Sequence, residues 1–331
     1  MIIILTLAAI LFLAWTLGRN NLSNLFGSAI GTRMLSFRTG VCVATLFVML
    51  GALISGAATT QNVNALGHIS VLSDAFILSV SAGMVMLLLS GLGVPASLTQ
   101  TTTGAYVSWN LFYRYPLPID LVTKTVLAWI YTPIIAGVMA FCLFGILKKL
   151  LNKYPIRLFW RDHVVRSGLI CVGAFSAYSF GANNIGSLIG PYLTVGLFPS
   201  IALFCGACMG IGVGFIFADK SVIKTVSSGM FPLSPLEALI AVLAAAQTLF
   251  LFSSIELKNI LMSLSLPSFP LVPVPLSCAA IGAIIGVAAA KGIEGLKFKI
   301  VGKVIFSWIS APVGAGFLCY GLLNLVYWGG M

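Results

Sequence analysis

At 331 residues, the chain is 60% hydrophobic and only 8% charged, with a mean hydropathy of +1.09. No water-soluble core absorbs that much apolar surface, which excludes a soluble enzyme or binding domain. The net charge of +11 would suggest nucleic acid in a soluble protein, but here the lipid bilayer is the implied partner and no nucleic acid is expected.

A hydrocarbon core of about 30 Å takes roughly 20 apolar residues per helix. Met1–Leu17 is apolar without a basic n-region and reads as a membrane segment rather than a signal peptide. Gly18-Arg19-Asn20-Asn21 follows at once, with Asn24 beyond it. Such a polar break in a hydrophobic span is costly unless it lines a cavity. Arg33 and Arg38 form a basic loop before the span Val41–Ala57, and the next loop, Thr59–Ser70, has neither Lys nor Arg. The span Phe76–Leu92 leads into Pro95–Gly104, which holds Ser97, Thr99, Gln100, Thr101, Thr102 and Thr103. Leu121–Leu147 is the next span, and a basic centre follows with Lys148, Lys149, Lys153, Arg157, Arg161 and Arg166 opposed only by Asp162.

The second part repeats the order of the first. Gly181-Ala182-Asn183-Asn184, with Ser187 after it, matches the first polar break, and the apolar stretch Leu193–Phe217 follows. Lys220 and Lys224 precede the span Ala238–Phe252. Pro273–Gly282, with Ser277 and Cys278, matches Pro95–Gly104. At the span Val304–Tyr327, the pattern of Lys303 just before it with Trp308, Pro312 and Gly316 within it matches Lys124, Trp129, Pro133 and Gly137. Three matched pairs in one order predict a duplication. Residues 1–147 form the first transmembrane repeat, 148–166 a basic cytoplasmic linker, and 167–331 a second repeat of opposite orientation. The expected fold is an all-α integral membrane protein of the inverted-repeat secondary-transporter class, with broken helices and re-entrant half-helices. Basic loops mark the cytoplasmic side, so both termini of this multi-pass cell-membrane protein are expected outside.

Chemistry narrows the ligand. Free N–H groups at a helix break favour an anion, Asn and Gln add neutral donors, and Ser and Thr hydroxyls serve either way. All seven acids lie outside the matched segments. Arg19 can give an oxyanion a bidentate contact, or reach the headgroups at the cytoplasmic interface. The predicted substrate site therefore comprises Arg19, Asn20, Asn21, Asn24, Ser97, Thr99, Gln100, Thr101, Asn183, Asn184, Ser187 and Ser277, around a small inorganic anion. The seven cysteines lie in apolar sequence and read as small hydrophobes, while His68 and His163 read as loop residues without a zinc site. No nucleophile, base or metal cluster suggests an enzyme, no ATP-binding motif or cofactor is expected, and small-residue runs such as Gly206–Gly214 permit close helix packing, within the chain or in a homodimer.

Taken together, these segments resemble the inorganic phosphate transporter (PiT) family of secondary carriers. That family has Gly-Ala-Asn-Asp motifs in both halves, a Pro-Val-Ser-Thr-Thr-His segment in each, and a Trp-x-x-x-Pro helix after each. The resemblance implies symport coupled to Na⁺ or H⁺, with the motif acids assigned to the coupling cation. Here those positions are Asn21 and Asn184, near which any Na⁺ would sit. The family His is Gln100 in one half and Cys278 in the other. Phosphate at neutral pH still carries a proton and wants an acceptor, whereas sulfate wants donors only. Loss of both acids thus predicts sulfate, as in the family's sulfate permeases, with phosphate as the alternative and an anion channel as the rival of another class.

Overall fold

The computed structural model describes residues 2–153, 158–196 and 199–328. The first half contains α1 (Ile2–Gly31), α2 (Phe37–Ser55), α3 (Ala57–Asn64), α4 (Leu72–Gly91), α5 (Leu98–Phe112) and α6 (Ile119–Lys153). The second contains α7 (Leu158–Val195), α8 (Ser200–Ile216), α9 (Lys220–Lys224) with a π turn at Thr225–Gly229, α10 (Pro235–Leu251), α11 (Ile255–Ser263), α12 (Leu276–Ala290) and α13 (Phe298–Trp328). Six of these helices are long and apolar enough to cross a bilayer, or eight with two bent pairs counted, α8 with α9 and its π turn at 72° and α10 with α11 at 71°. The half-helices α5 and α12 have 15 residues each. At 1.5 Å per residue they reach about 22 Å, short of a hydrocarbon core, as re-entrant segments must.

The halves are interleaved. α1 packs on α8 and α7 on α2, while α5 packs on α13 and α12 on α6. The glycines of the matched motifs make these contacts close. A Cβ on Gly18 would overlap the carbonyl oxygen of Ile211, and one on Gly181 that of Val48. One on Gly104 would overlap the Pro312 carbonyl, and one on Gly282 that of Pro133. Each Trp-x-x-x-Pro helix is thereby shaped to receive the half-helix of the other repeat. The small-residue run is used in the same way over its last turns: Gly210 faces the Ala14 methyl and Gly214 the Trp15 carbonyl of α1, and Gly212 the Thr45 side chain of α2.

A carboxylate anchors the far end of each half-helix. Asp74, buried in the first turn of α4, accepts hydrogen bonds from Trp109 Nε1 at 2.8 Å, Tyr327 OH at 2.6 Å and Tyr113 OH at 3.3 Å. Glu237, in the first turn of α10, pairs with Lys291 at 2.9 Å and closes a capping box with Ser234. Both acids sit at the positive end of a helix, where a carboxylate is stabilised.

Several expectations change. The Asn-Asn motifs do not break their helices: α1 runs unbroken from Ile2 to Gly31, and α7 from Leu158 to Val195. The breaks are at the two bent pairs instead. The stretch Leu193–Phe217 is not one span, because Gly196 turns the chain at φ +71° and Pro199 precedes α8. Loop Thr59–Ser70 begins as helix α3, and His163 lies on α7, whereas His68 is in a loop. Of the basic segment 148–166, Lys148, Lys149 and Lys153 belong to α6 and Arg166 to α7, while residues 154–157, Arg157 among them, lie outside the described residues.

Candidate functional site

Asn20 and Asn183 hold equivalent places. Asn20 Oδ1 accepts from the Ala96 N–H at 2.8 Å, and Asn183 Oδ1 from the Val274 N–H at 2.9 Å. Each side chain leaves a long helix and pins the extended segment that leads into a half-helix. From the other side, Thr225 Oγ1 donates to the Gly93 carbonyl at 2.8 Å and Asn62 Nδ2 to the Leu271 carbonyl at 2.6 Å. Both lead-in segments are thus held between a long helix and a short one of the opposite half.

Asn21 and Asn184 are also matched. Asn21 Nδ2 donates to the Leu17 carbonyl and Asn184 Nδ2 to the Phe180 carbonyl, each at 3.1 Å and one helical turn back. A carbonyl only accepts, so the amide nitrogen must face it and the amide oxygen must face away. Asn21 Oδ1 accepts from Asn24 Nδ2 at 3.0 Å. This intrahelical bond is also why the motif does not interrupt the helix. A carboxylate at either position could not make it.

The half-helices meet tip to tip. Ser97 caps α5, with its hydroxyl accepting from the Gln100 N–H at 3.4 Å and lying 2.9 Å from Thr99 Oγ1. Thr101 and Thr102 donate to carbonyls of the preceding turn, as hydroxyls inside an apolar helix do. Gln100 Nε2 reaches Cys278 Sγ at 3.9 Å, so the third helical residue of α5 touches the third of α12. Two helix N-termini, each with free N–H groups and partial positive charge, converge there. Asn24 and Ser28 share a small cavity with Ala280 and Ile284 of α12.

Apart from Arg19, every predicted site residue is buried, none more than 4% exposed. Four of their side-chain atoms have no partner among the described residues: Asn24 Oδ1, Gln100 Oε1, Asn183 Nδ2 and Ser277 Oγ. A buried polar atom without a partner costs about 1–3 kcal/mol, so a cluster of them on facing segments asks for an occupant. No group of His, Cys, Asp and Glu among the described residues could hold a metal ion.

Arg19 is the exception to the expected site. Its guanidinium grips Asp219 with two bonds, Nε to Oδ2 at 2.9 Å and Nη2 to Oδ1 at 2.8 Å, and lies over the Trp15 ring. The Asp219 N–H donates to the Arg19 carbonyl, Ser90 donates a short hydrogen bond to the same carboxylate, and Asn20 Nδ2 donates to Ser90 Oγ at 3.0 Å. Arg19 therefore neutralises an acid behind the site and steadies Asn20, in place of the anion or headgroup contact expected of it. Sequence reading missed Asp219. The available signal was that Arg19 has no counterpart, since Ala182 stands in the second copy, and a lone charge in an apolar span requires a counter-charge.

Long apolar helices, bent helix pairs and half-helices meeting tip to tip among buried amides define a membrane protein of the secondary-transporter fold. The chain belongs to the Phosphate transporter family, which it matches over residues 17–163 and 159–265. It is 26% identical over 304 residues to a putative phosphate permease of Methanocaldococcus jannaschii, covering 91% of this chain and 90% of that protein. A putative phosphate permease of Haemophilus influenzae is 23% identical over 403 aligned positions, with 92% of each chain covered. The solved structure of a sodium-dependent phosphate transporter superposes with a TM-score of 0.79 over 98% of this chain and 99% of the other. At 17% identity that likeness speaks for the fold alone. Both relatives are named putative phosphate permeases, and the resemblance to sulfate permeases finds no support among them.

Proposed function

We propose that this chain is a secondary carrier of inorganic phosphate that binds its anion where the tips of α5 and α12 meet. One observation carries the reading: the unpartnered buried atoms Asn24 Oδ1, Gln100 Oε1, Asn183 Nδ2 and Ser277 Oγ belong to the segments surrounding the contact of Gln100 with Cys278. Monohydrogen phosphate needs donors for its ionised oxygens and an acceptor for its hydroxyl. Asn183 Nδ2, the Ser277 hydroxyl and the first N–H groups of the two half-helices supply the donors. Gln100 Oε1 and Asn24 Oδ1 supply acceptors. The sulfate expectation rested on a site made of donors only. Carboxamides whose nitrogens are already engaged, Asn24 Nδ2 by Asn21 Oδ1 and Gln100 Nε2 by Cys278 Sγ, undo that premise, because their free oxygens do the work expected of a carboxylate.

The coupling cation in this reading is Na⁺. Amide oxygens of Asn21 and Asn184 suit a hard cation that takes oxygen ligands, and no carboxylate stands at these positions to carry a proton. The termini are assigned to the outside from the distribution of Lys and Arg. A channel fits less well, because the site residues are enclosed on all sides.

Proteoliposomes should accumulate phosphate above equilibrium when an inward Na⁺ gradient is imposed, and lose that accumulation to a Na⁺ ionophore. Preferential sulfate uptake would overturn the substrate. Flux that never exceeds equilibrium under either a Na⁺ or an H⁺ gradient would favour the channel.

A further inference from the structure

A second polar cavity, of about 640 Å³, lies outside the enclosed site. Its polar lining brings together Gln61 and Asn62 of α3, Asp120 and Lys124 of α6, and Lys258 and Asn259 of α11, with the backbone at Leu271. Lys124 is at the start of α6 and Lys148 to Lys153 at its end, so the cavity opens at the end of the bundle remote from the basic centre. Lys124 is paired with Asp120 at 2.6 Å. Lys258 has no acidic partner among the described residues. Its cavity thus combines one uncompensated ammonium with three side-chain amides, a donor set for an oxyanion.

The floor of the cavity connects with the enclosed site. Asn62, on the wall, donates to the Leu271 carbonyl at 2.6 Å, and the Val274 N–H just beyond is held by Asn183 at 2.9 Å. An anion on Lys258 therefore rests against the same extended segment whose far side leads to the tip of α12. The hydrogen bond from Asn62 to Leu271 is the one of the two named tethers on that segment that borders the cavity.

We propose that this cavity is a second oxyanion site, an outer vestibule in which Lys258 captures phosphate before it passes the Asn62–Leu271 tether. The proposal rests on the phosphate-carrier reading. The same chemistry would accept the phosphate of a lipid headgroup, so the experiment must separate the two sources. A capturing charge acts on the encounter more than on the later steps, and its effect is screened by salt.

Initial rates of phosphate uptake should be compared for wild type, Lys258→Gln and Lys258→Arg, at low and high ionic strength, in liposomes with and without phosphatidylglycerol. Capture of free phosphate predicts that Lys258→Gln raises KM by roughly three- to tenfold, the scale of one exposed charge, while maximal rate is kept. Lys258→Arg should restore KM, and added salt should raise the wild-type KM towards that of Lys258→Gln. An unchanged KM in Lys258→Gln overturns the proposal, as does an effect seen only with phosphatidylglycerol, which would assign the cavity to a headgroup. If wild type moves sulfate and not phosphate, the carrier reading fails on substrate, and the same KM series with sulfate decides the vestibule. If neither anion is transported, the rise in unfolding temperature caused by phosphate, compared between wild type and Lys258→Gln, decides it.

Discussion

Asn20 and Asn183 occupy equivalent places but are not equally tied, and alanine at each separates a supporting role from a ligand role. Asn20 makes three hydrogen bonds: it accepts from Ala96 N at 2.8 Å and donates to Ser90 Oγ at 3.0 Å and to the Val94 carbonyl at 3.3 Å. Asn183 accepts from Val274 N, and its own Nδ2 is unpartnered. Each net hydrogen bond is worth about 0.5–1.5 kcal/mol, and an orphaned buried N–H costs about 1–3 kcal/mol. Asn20→Ala should therefore lose about 3–4 kcal/mol, and Asn183→Ala about 1–2 kcal/mol. In a chain of this size the gap corresponds to about 3 °C in unfolding temperature. Ligand linkage should run the other way. Phosphate at a hundredfold excess over its Kd stabilises a folded protein by about 2.7 kcal/mol, and that increment should persist in Asn20→Ala but shrink in Asn183→Ala, which has lost a free donor. The assay is thermal unfolding of purified protein in detergent, with and without phosphate. Equal losses of stability, or a full phosphate increment in Asn183→Ala, would refute the reasoning.

Ser277→Ala should weaken phosphate binding about tenfold, the loss of one donor to a charged group, whereas Thr101→Val should leave KM within about twofold because its hydroxyl is already bonded to its own helix. Uptake kinetics of the two variants check this. Gly18→Ala and Gly181→Ala should each cost about 1–3 kcal/mol or more by forcing helices apart, while Gly206→Ala, with nothing near its Cβ, should be neutral; unfolding in detergent gives the comparison. Asp219→Asn leaves the half-buried Arg19 charge uncompensated and should destabilise the protein, with rescue when Arg19→Gln is added. A double-mutant cycle on unfolding temperature measures the coupling, which should be absent if the pair is only a surface contact.

The legible part of this molecule was what the two halves share. Asn20 with Asn183, and Pro95–Gly104 with Pro273–Gly282, announced themselves because the same chemistry recurs in the same order, and the tips of the two half-helices touch at Gln100 and Cys278. Half-helices were legible from Pro273–Gly282, whose apolarity places it at membrane depth. The breaks were misplaced because polarity was read as interruption. An Asn that donates to the carbonyl one turn back is polar in composition and helical in geometry. The role of Arg19 was hidden for a different reason. Its partner Asp219 is distant in sequence, and the turn of the chain between α8 and α9 brings the two together.

The interleaving of the halves has a consequence for the order in which the chain is made. When α1 and α2 leave the ribosome, the surfaces that will bury Gly18 and receive Val48 do not yet exist, for they belong to α8 and α7. The same holds for α5 and α6, which wait for α13 and α12. Contacts this distant in sequence close late and slowly. Until their partners arrive, the first six helices have only the contacts they make among themselves, chiefly α1 on α4 and α4 on α5. A fragment ending near residue 147 should be degraded when expressed alone, and should be rescued by supplying the rest of the chain as a second polypeptide, since every missing partner surface is on that piece.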